Sequence, residues 1–137
     1  MTSSEEKIEP KLLRLVDASL NRLREGIRVI EDINRYIYDN KEISSKLKDL
    51  RHLSKIENYL QLLSNRDIEN DVLKSSTESE SKRSDERSLL LANYKRAQEA
   101  ARVLEESLKL IDPLKAEDFK KIRYELYALE KENLTDN

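Results

Sequence analysis

A pattern that occurs twice constrains this chain more than any other feature of it. The first copy runs Asn21-Arg22-Leu23-Arg24-Glu25-Gly26-Ile27-Arg28-Val29-Ile30-Glu31-Asp32. The second runs Lys95-Arg96-Ala97-Gln98-Glu99-Ala100-Ala101-Arg102-Val103-Leu104-Glu105-Glu106. Both read Arg-x-x-Glu-[Gly/Ala]-x-Arg-Val-[Ile/Leu]-Glu-[Asp/Glu], and Ala18 and Ala92 match in the same frame. A match of that length at a constant offset points to two related halves, each centred on a charged helix.

The chain around the two copies reads as helix almost throughout. One Gly and two Pro leave little to break it. Residues 1–9 are expected to form a frayed tail. Pro10 suits a first helical turn. From there Leu12, Val16, Leu20, Leu23, Ile27, Ile30 and Ile37 fall on one face at 100° per residue, which predicts a helix over residues 10–38. Asp39-Asn40 is expected to end it, because Asn tolerates the left-handed conformation. A second helix is predicted over 42–63, with Ile43, Leu47, Leu50, Leu53, Ile56, Leu60 and Leu63 inward. Ser64-Asn65-Arg66-Asp67 resembles a capping box and predicts a further short helical turn.

Residues 70–84 include Ser75-Ser76-Thr77-Glu78-Ser79-Glu80-Ser81, a composition that buries little. They are read as a mobile loop, either a linker between the halves or a lid over a site. Ser84 or Asp85 caps a third predicted helix, 86–111, with Leu89, Leu90, Ala97, Ala101, Leu104, Leu108 and Ile111 apolar. Asp112-Pro113 is a stop and a restart. A fourth helix follows over 114–132, burying Phe119, Ile122, Leu126 and Leu129, with 133–137 as a tail. The expected fold is all-α: one helical domain over 10–132, a bundle of two pseudo-symmetric αα-hairpins with long helices. The hairpins span 10–69 and 85–132. Spare apolar surface on so thin a bundle predicts a homodimer.

Composition closes off several function classes. With no Cys there is neither a disulfide nor a zinc-thiolate site, as suits a reducing cytoplasm, the expected location. Charged residues make up 39% of the chain, a level compatible with disorder, but the regular Leu, Ile and Val spacing argues for folding. The first six residues, Met1 to Glu6, lack the basic and apolar regions of a signal peptide. No apolar run approaches the roughly 20 residues of a membrane span. The net charge is −2 with both signs interspersed, so neither nucleic acid nor membrane is an expected partner.

On a helical wheel Arg22, Glu25, Val29 and Asp32 lie along one margin of the apolar face of the first helix, with Ala18 and Tyr36. Glu31, Arg24 and Arg35 point further out. Arg22 and Glu25 stand three residues apart, as do Glu25 and Arg28, so one reading is a helix laced with surface ion pairs worth a few tenths of a kcal/mol each. The other reading uses the duplication. Halves that bring Arg22/Glu25 beside Arg96/Glu99 make a groove with two guanidinium groups, whose forks suit phosphate, and two carboxylates. Those carboxylates would orient the forks, accept from ring amines or bind magnesium. Gly26 and Ala100 share a repeat position, and a small residue there suggests close helix approach. Arg51-His52, Arg66-Asp67 with Asp71, and Asn93 are the other polar groups that stand out. No Gly-rich phosphate loop, Walker lysine, nucleophile–base pair or metal-ligand spacing names a reaction. The residues alone describe a helical module with a candidate anion site.

The ordered motifs resemble a known family. Leu15-Val16-Asp17-Ala18-Ser19-Leu20-Asn21-Arg22, then Arg24-Glu25-Gly26 and Arg28-Val29-Ile30-Glu31-Asp32, look like its opening signature. Leu50-Arg51-His52, Asn65-Arg66-Asp67 with Asp71-Val72, and Ala92-Asn93 with the second motif copy look like the rest, over about residues 12–130. The family is the helical domain found in front of bacterial thiamine-phosphate synthase, and sometimes alone, regarded as a replacement phosphomethylpyrimidine kinase. The resemblance implies ATP- and Mg-dependent conversion of hydroxymethylpyrimidine phosphate to its diphosphate, with the synthase as a partner. It implies Arg22, Arg28, Arg96 and Arg102 as phosphate-binding, Glu25 and Glu99 as catalytic groups that orient them or bind magnesium, and Asn21, Asn93, Arg66 and Asp67 as substrate contacts. A non-catalytic phosphopyrimidine-binding or adaptor module is the competing expectation. The synthase is itself a (β/α)8 barrel of about 250 residues, and this chain has no strand–helix alternation. Where the family has Asp-Val-Gly, this chain has Asp71-Val72-Leu73.

Overall fold

Pro10 stands at the first position of helix α1 (Pro10–Asp32), where the N–H that proline lacks has no intrahelical partner to lose. The Glu9 carboxylate caps that end by accepting from the Leu12 N–H. These details come from a computed structural model of the chain, which describes residues 8–57, 59–75 and 85–135. The described residues are all helix, turn and loop, and contain no strand.

The first predicted helix is not one continuous α-helix. A π-helical turn (Ile33–Ile37) succeeds α1, closed by the Tyr38 N–H donating to the Ile33 carbonyl. The wider winding rotates the end of the helix off the core face. Ile37, expected inside, is 53% exposed, and Asn34 is buried in the core instead. Asp39, not Asn40, takes the left-handed conformation (φ 51°). Asn40 caps helix α2 (Lys41–Leu53), its Oδ1 accepting from the Ile43 N–H at 3.0 Å.

The second predicted helix is also broken. Ser54 is fully buried, leaves the helical conformation, and donates its hydroxyl to the Leu50 carbonyl at 2.8 Å. That local bond competes with continuation of the helix. A short helix, α3 (Tyr59–Ser64), resumes in a different frame, so Leu62 is buried while Leu53, Leu60 and Leu63 are exposed. No helix starts at Ser64–Asp67. Asp67 caps a turn instead, accepting from the Asn70 N–H and side-chain amide.

Helix α4 (Glu86–Leu108) is capped by Asp85, which accepts from the Ser88 N–H at 2.7 Å. Helix α5 (Pro113–Thr135) restarts after Asp112 as expected and runs three residues past the predicted end at 132. Residues 76–84 of the expected loop, 1–7 of the expected N-terminal tail and 136–137 lie outside the described residues.

Helices α1, α4 and α5 form the centre, around Leu23, Ile27, Tyr94, Ala97, Leu104, Phe119 and Leu126. The Arg87 guanidinium, at the start of α4, donates to the Leu134 carbonyl at the end of α5, so these two run antiparallel. Helix α2 packs on α1 and only grazes α5, and α3 rests on α1. The expected close approach occurs at Gly26: a Cβ there would lie 3.3 Å from Ala97 Cβ and from the Asn93 carbonyl oxygen. Asn34, Asn133 and Tyr94, all buried, join the π turn, α5 and α4. The two amides exchange hydrogen bonds at 2.8 and 2.9 Å, and the Tyr94 hydroxyl donates to Asn133 at 2.8 Å.

Candidate functional site

Asp17, Asn21, Arg24, Arg28, Glu31 and Arg35 recur along α1 and its π turn at alternating steps of four and three, so they share one side of the helix. This stripe faces α2 and α3. Arg22 and Glu25 lie off it, on the exposed side of α1 rather than on a margin of its apolar face, and the stripe holds the two buried carboxylates of the first half among the described residues.

Two arginines from other elements grip it. Arg66, just past α3, binds Asp17 with both prongs, Nε to Oδ2 at 2.8 Å and Nη2 to Oδ1 at 2.9 Å. Arg51, near the end of α2, binds Glu31 with Nε to Oε1 at 2.7 Å and Nη2 to Oε2 at 3.3 Å. Both carboxylates are buried, and every carboxylate oxygen of the two is engaged. The Asp17 hydrogen bonds push the Arg66 guanidinium further above its ordinary range, so the arginine keeps its charge. The outward position expected for Glu31 is therefore overturned. Helix α2 covers that flank, and a buried carboxylate is tolerable only with such a partner.

Arg24 lies between them, seven residues from each, or about 10 Å along the axis. It is partly buried, its Nε is shielded from solvent with no acceptor, and the side chain makes no hydrogen bond or ion pair among the described residues. A buried donor left unpaired costs about 1–3 kcal/mol. The same position of the second motif copy is Gln98, which is buried and donates to Glu130 at 2.9 Å. Sequence reasoning passed over Arg24, although the seven-residue spacing Asp17–Arg24–Glu31 was a readable signal.

The other expected site residues divide into engaged and free groups. Arg28 pairs with Asp32 (3.3 Å) and Arg102 with Glu106 (3.1 Å), both on the surface. Asn21 donates weakly to Asp17 (3.4 Å). Asn93 is buried and donates to the Leu89 carbonyl. The hydrogen bonds from Asn70 hold the Asp67 carboxyl below the ordinary carboxylate range, and the Asp67 carbonyl accepts from Arg14. Arg22, Glu25, Arg96 and Glu99 are exposed and make no side-chain hydrogen bond or ion pair among the described residues, even though each Arg stands three residues from its Glu. None of the four lines either of two open pockets. One, about 330 Å³, lies at the end of α1 beside Arg35, Lys41 and Lys48. The other, about 430 Å³, lies between α2 and α5.

The second half carries its own buried ion pair. Arg123 of α5 donates to Glu105 of α4 at 2.9–3.0 Å. Glu31 and Glu105 hold the same place in the two motif copies. Among the described residues no group of three His, Asp or Glu side chains is arranged to hold a metal ion, and no helix is long and apolar enough to cross a membrane.

Comparison with known proteins agrees with this frame. The model of the ThiD2 family matches residues 14–132. A thiamine-phosphate synthase of Synechocystis sp. is 42% identical over 120 residues, covering 87% of this chain and 35% of the relative. One from Synechococcus sp. (strain CC9605) is 39% identical over 132 residues, 94% of this chain and 37% of the relative. Another from Nostoc punctiforme is 36% identical over 129 residues, 93% of this chain and 37% of the relative. The chain thus spans little more than a third of the length of these relatives. No solved structure matches it. A family match across nearly all of the helical region, carried by both motif copies, makes the chain a member of the ThiD2 family.

Proposed function

We propose that this chain acts in thiamine biosynthesis as a phosphotransferase, moving the γ-phosphoryl group of ATP onto a phosphate oxygen of hydroxymethylpyrimidine phosphate. The bond to ADP breaks, a new P–O bond forms, and ADP and the pyrimidine diphosphate leave. The family and the names of its relatives support the pathway. The single structural observation that carries the reading is that Arg22, Glu25, Arg96 and Glu99 are exposed and unengaged, four groups of the repeated motif left available to a ligand. Phosphoryl transfer depends chiefly on positioning and charge neutralisation, which guanidinium groups supply. Magnesium fits only as an ion carried in with the nucleotide: it binds through one or two carboxylates plus substrate phosphates, and Glu25 or Glu99 would serve. The matched placement of Glu31–Arg51 and Glu105–Arg123 supports descent of the two motif copies from one duplicated unit.

Incubation of the purified chain with hydroxymethylpyrimidine phosphate, ATP and magnesium is expected to yield ADP and the diphosphate in equal amounts. Arg22→Ala and Arg96→Ala are each expected to lower kcat/KM by 10-fold or more with the melting temperature unchanged. A folded wild-type sample that forms no diphosphate would refute the kinase.

A second reading is a non-catalytic adaptor for thiamine-phosphate synthase. It is favoured by the groove between α2 and α5, where Leu50, Leu53 and Ile122 lie among charges of both signs and Leu53 is 62% exposed. An adaptor predicts that Leu53→Asp weakens capture of the synthase while the Arg22→Ala change does not.

A further inference from the structure

We infer that Arg24 is an anion-docking group, a binding residue for the phosphate of a phosphorylated ligand on the stripe between α1, α2 and α3. The charges flanking it are already engaged. Asp17 is taken by Arg66 and Glu31 by Arg51, each through both carboxylate oxygens. Arg28 is taken by Asp32. Those three pairs balance in charge, although Asp32 keeps a buried Oδ1 without a donor, and Arg24 remains the cation between Asp17 and Glu31 with no partner among the described residues. Its Nε is shielded from water with no acceptor.

A guanidinium offers parallel donors at a spacing that phosphate oxygens match. A ligand oxygen is the acceptor this group lacks. The ion pairs on either side are contributed by different elements, so they hold the flanks of the position rigid. The second motif copy supplies the control: there the position carries Gln98, which the chain itself satisfies through Glu130. A position that only needed packing would be satisfied in both copies.

The inference rests on the phosphotransferase reading only for the identity of the ligand. It is therefore tested with inorganic pyrophosphate, by calorimetric titration of the whole chain at constant ionic strength. Wild type is expected to bind saturably. Arg24→Gln is expected to bind at least 10-fold more weakly, with a melting temperature unchanged or raised because an unpaired buried donor is gone. Arg24→Lys, which keeps the charge but loses the fork, is expected to fall between them and serves if the Gln variant does not fold. Lys120→Gln, an exposed cation elsewhere, should match wild type. Wild type without saturable binding, or Arg24→Gln within twofold of it, overturns the inference. Arg24-dependent binding in a chain that makes no pyrimidine diphosphate would instead keep the anion site and remove the kinase.

Discussion

Asp17, Glu31 and Glu105 are buried carboxylates, and each is held by an arginine from another element, Glu105 with Arg102 of its own helix 3.7 Å away as well. A carboxylate in such a place depends chiefly on that partner, and removing one member of a buried pair strands the other. Glu31→Ala and Glu105→Ala are each expected to cost about 3 kcal/mol in urea unfolding. Surface pairs such as Arg28–Asp32 should give less than about 1 kcal/mol in the same assay. Gly26 is a second residue whose identity is forced. Its neighbours are the Ala97 Cβ and backbone atoms of α4, which cannot step aside as a flexible side chain would. Gly26→Val is expected to destabilise by about 1–3 kcal/mol through overpacking. Gly26 was legible in the sequence because a small residue at a repeat position in a helix has few other uses. The burial of Glu31 was not, because it depends on Arg51, twenty positions away on a helix whose docking no local pattern encodes.

At the scale of the element, the long amphipathic helices were plain. Helices α4 and α5 start where Asp85 and Asp112-Pro113 say they should. The two predicted helices that broke did so where a buried polar side chain overrode helical periodicity. Asn34 enters the core and the winding widens to admit it. Ser54 bonds back to the Leu50 carbonyl and the helix stops. Neither residue looks exceptional in a one-dimensional pattern, because its partners lie on another turn or another helix. The Asn34–Asn133–Tyr94 cluster ties three elements together in the dry interior. Asn133→Leu is expected to cost about 2–4 kcal/mol, since it removes the donor to the Asn34 Oδ1 and the acceptor of the Tyr94 hydroxyl, while the Asn34 amide keeps only the Ile30 carbonyl. Tyr94→Phe, which leaves the amide pair intact, should cost only about 1 kcal/mol.

For the molecule as a whole, all-α architecture follows from sparse helix breakers and apolar residues spaced for helices. The candidate site was legible only in part. The motif named Arg22, Glu25, Arg96 and Glu99; the spacing Asp17–Arg24–Glu31 was readable too, but its partners Arg66 and Arg51 emerge only once α2 and α3 are folded against α1. Charge also sets how the molecule responds to acid. Hydrogen bonds from Asn70 and Ser88 hold Asp67 and Asp85 below the ordinary carboxylate range. A depressed carboxyl contributes stability that is fully present above its unfolded pKa, about 4, and is lost as pH falls through its lower folded value. The melting temperature is therefore expected to decline as pH drops below about 4, and Asp85→Asn should flatten that decline. The segment from α3 onward has a consequence of its own. It sinks a single apolar side chain, Leu62, fully into the core, and Arg66 is its strongest tie to α1. That makes it the region that breathes first. In hydrogen-exchange measurements the amides of 59–75 should trade their protons well before those of α1 or α4, and Arg66→Ala should speed them further. Each such opening would bare Asp17 to water for a moment without unfolding the bundle behind it.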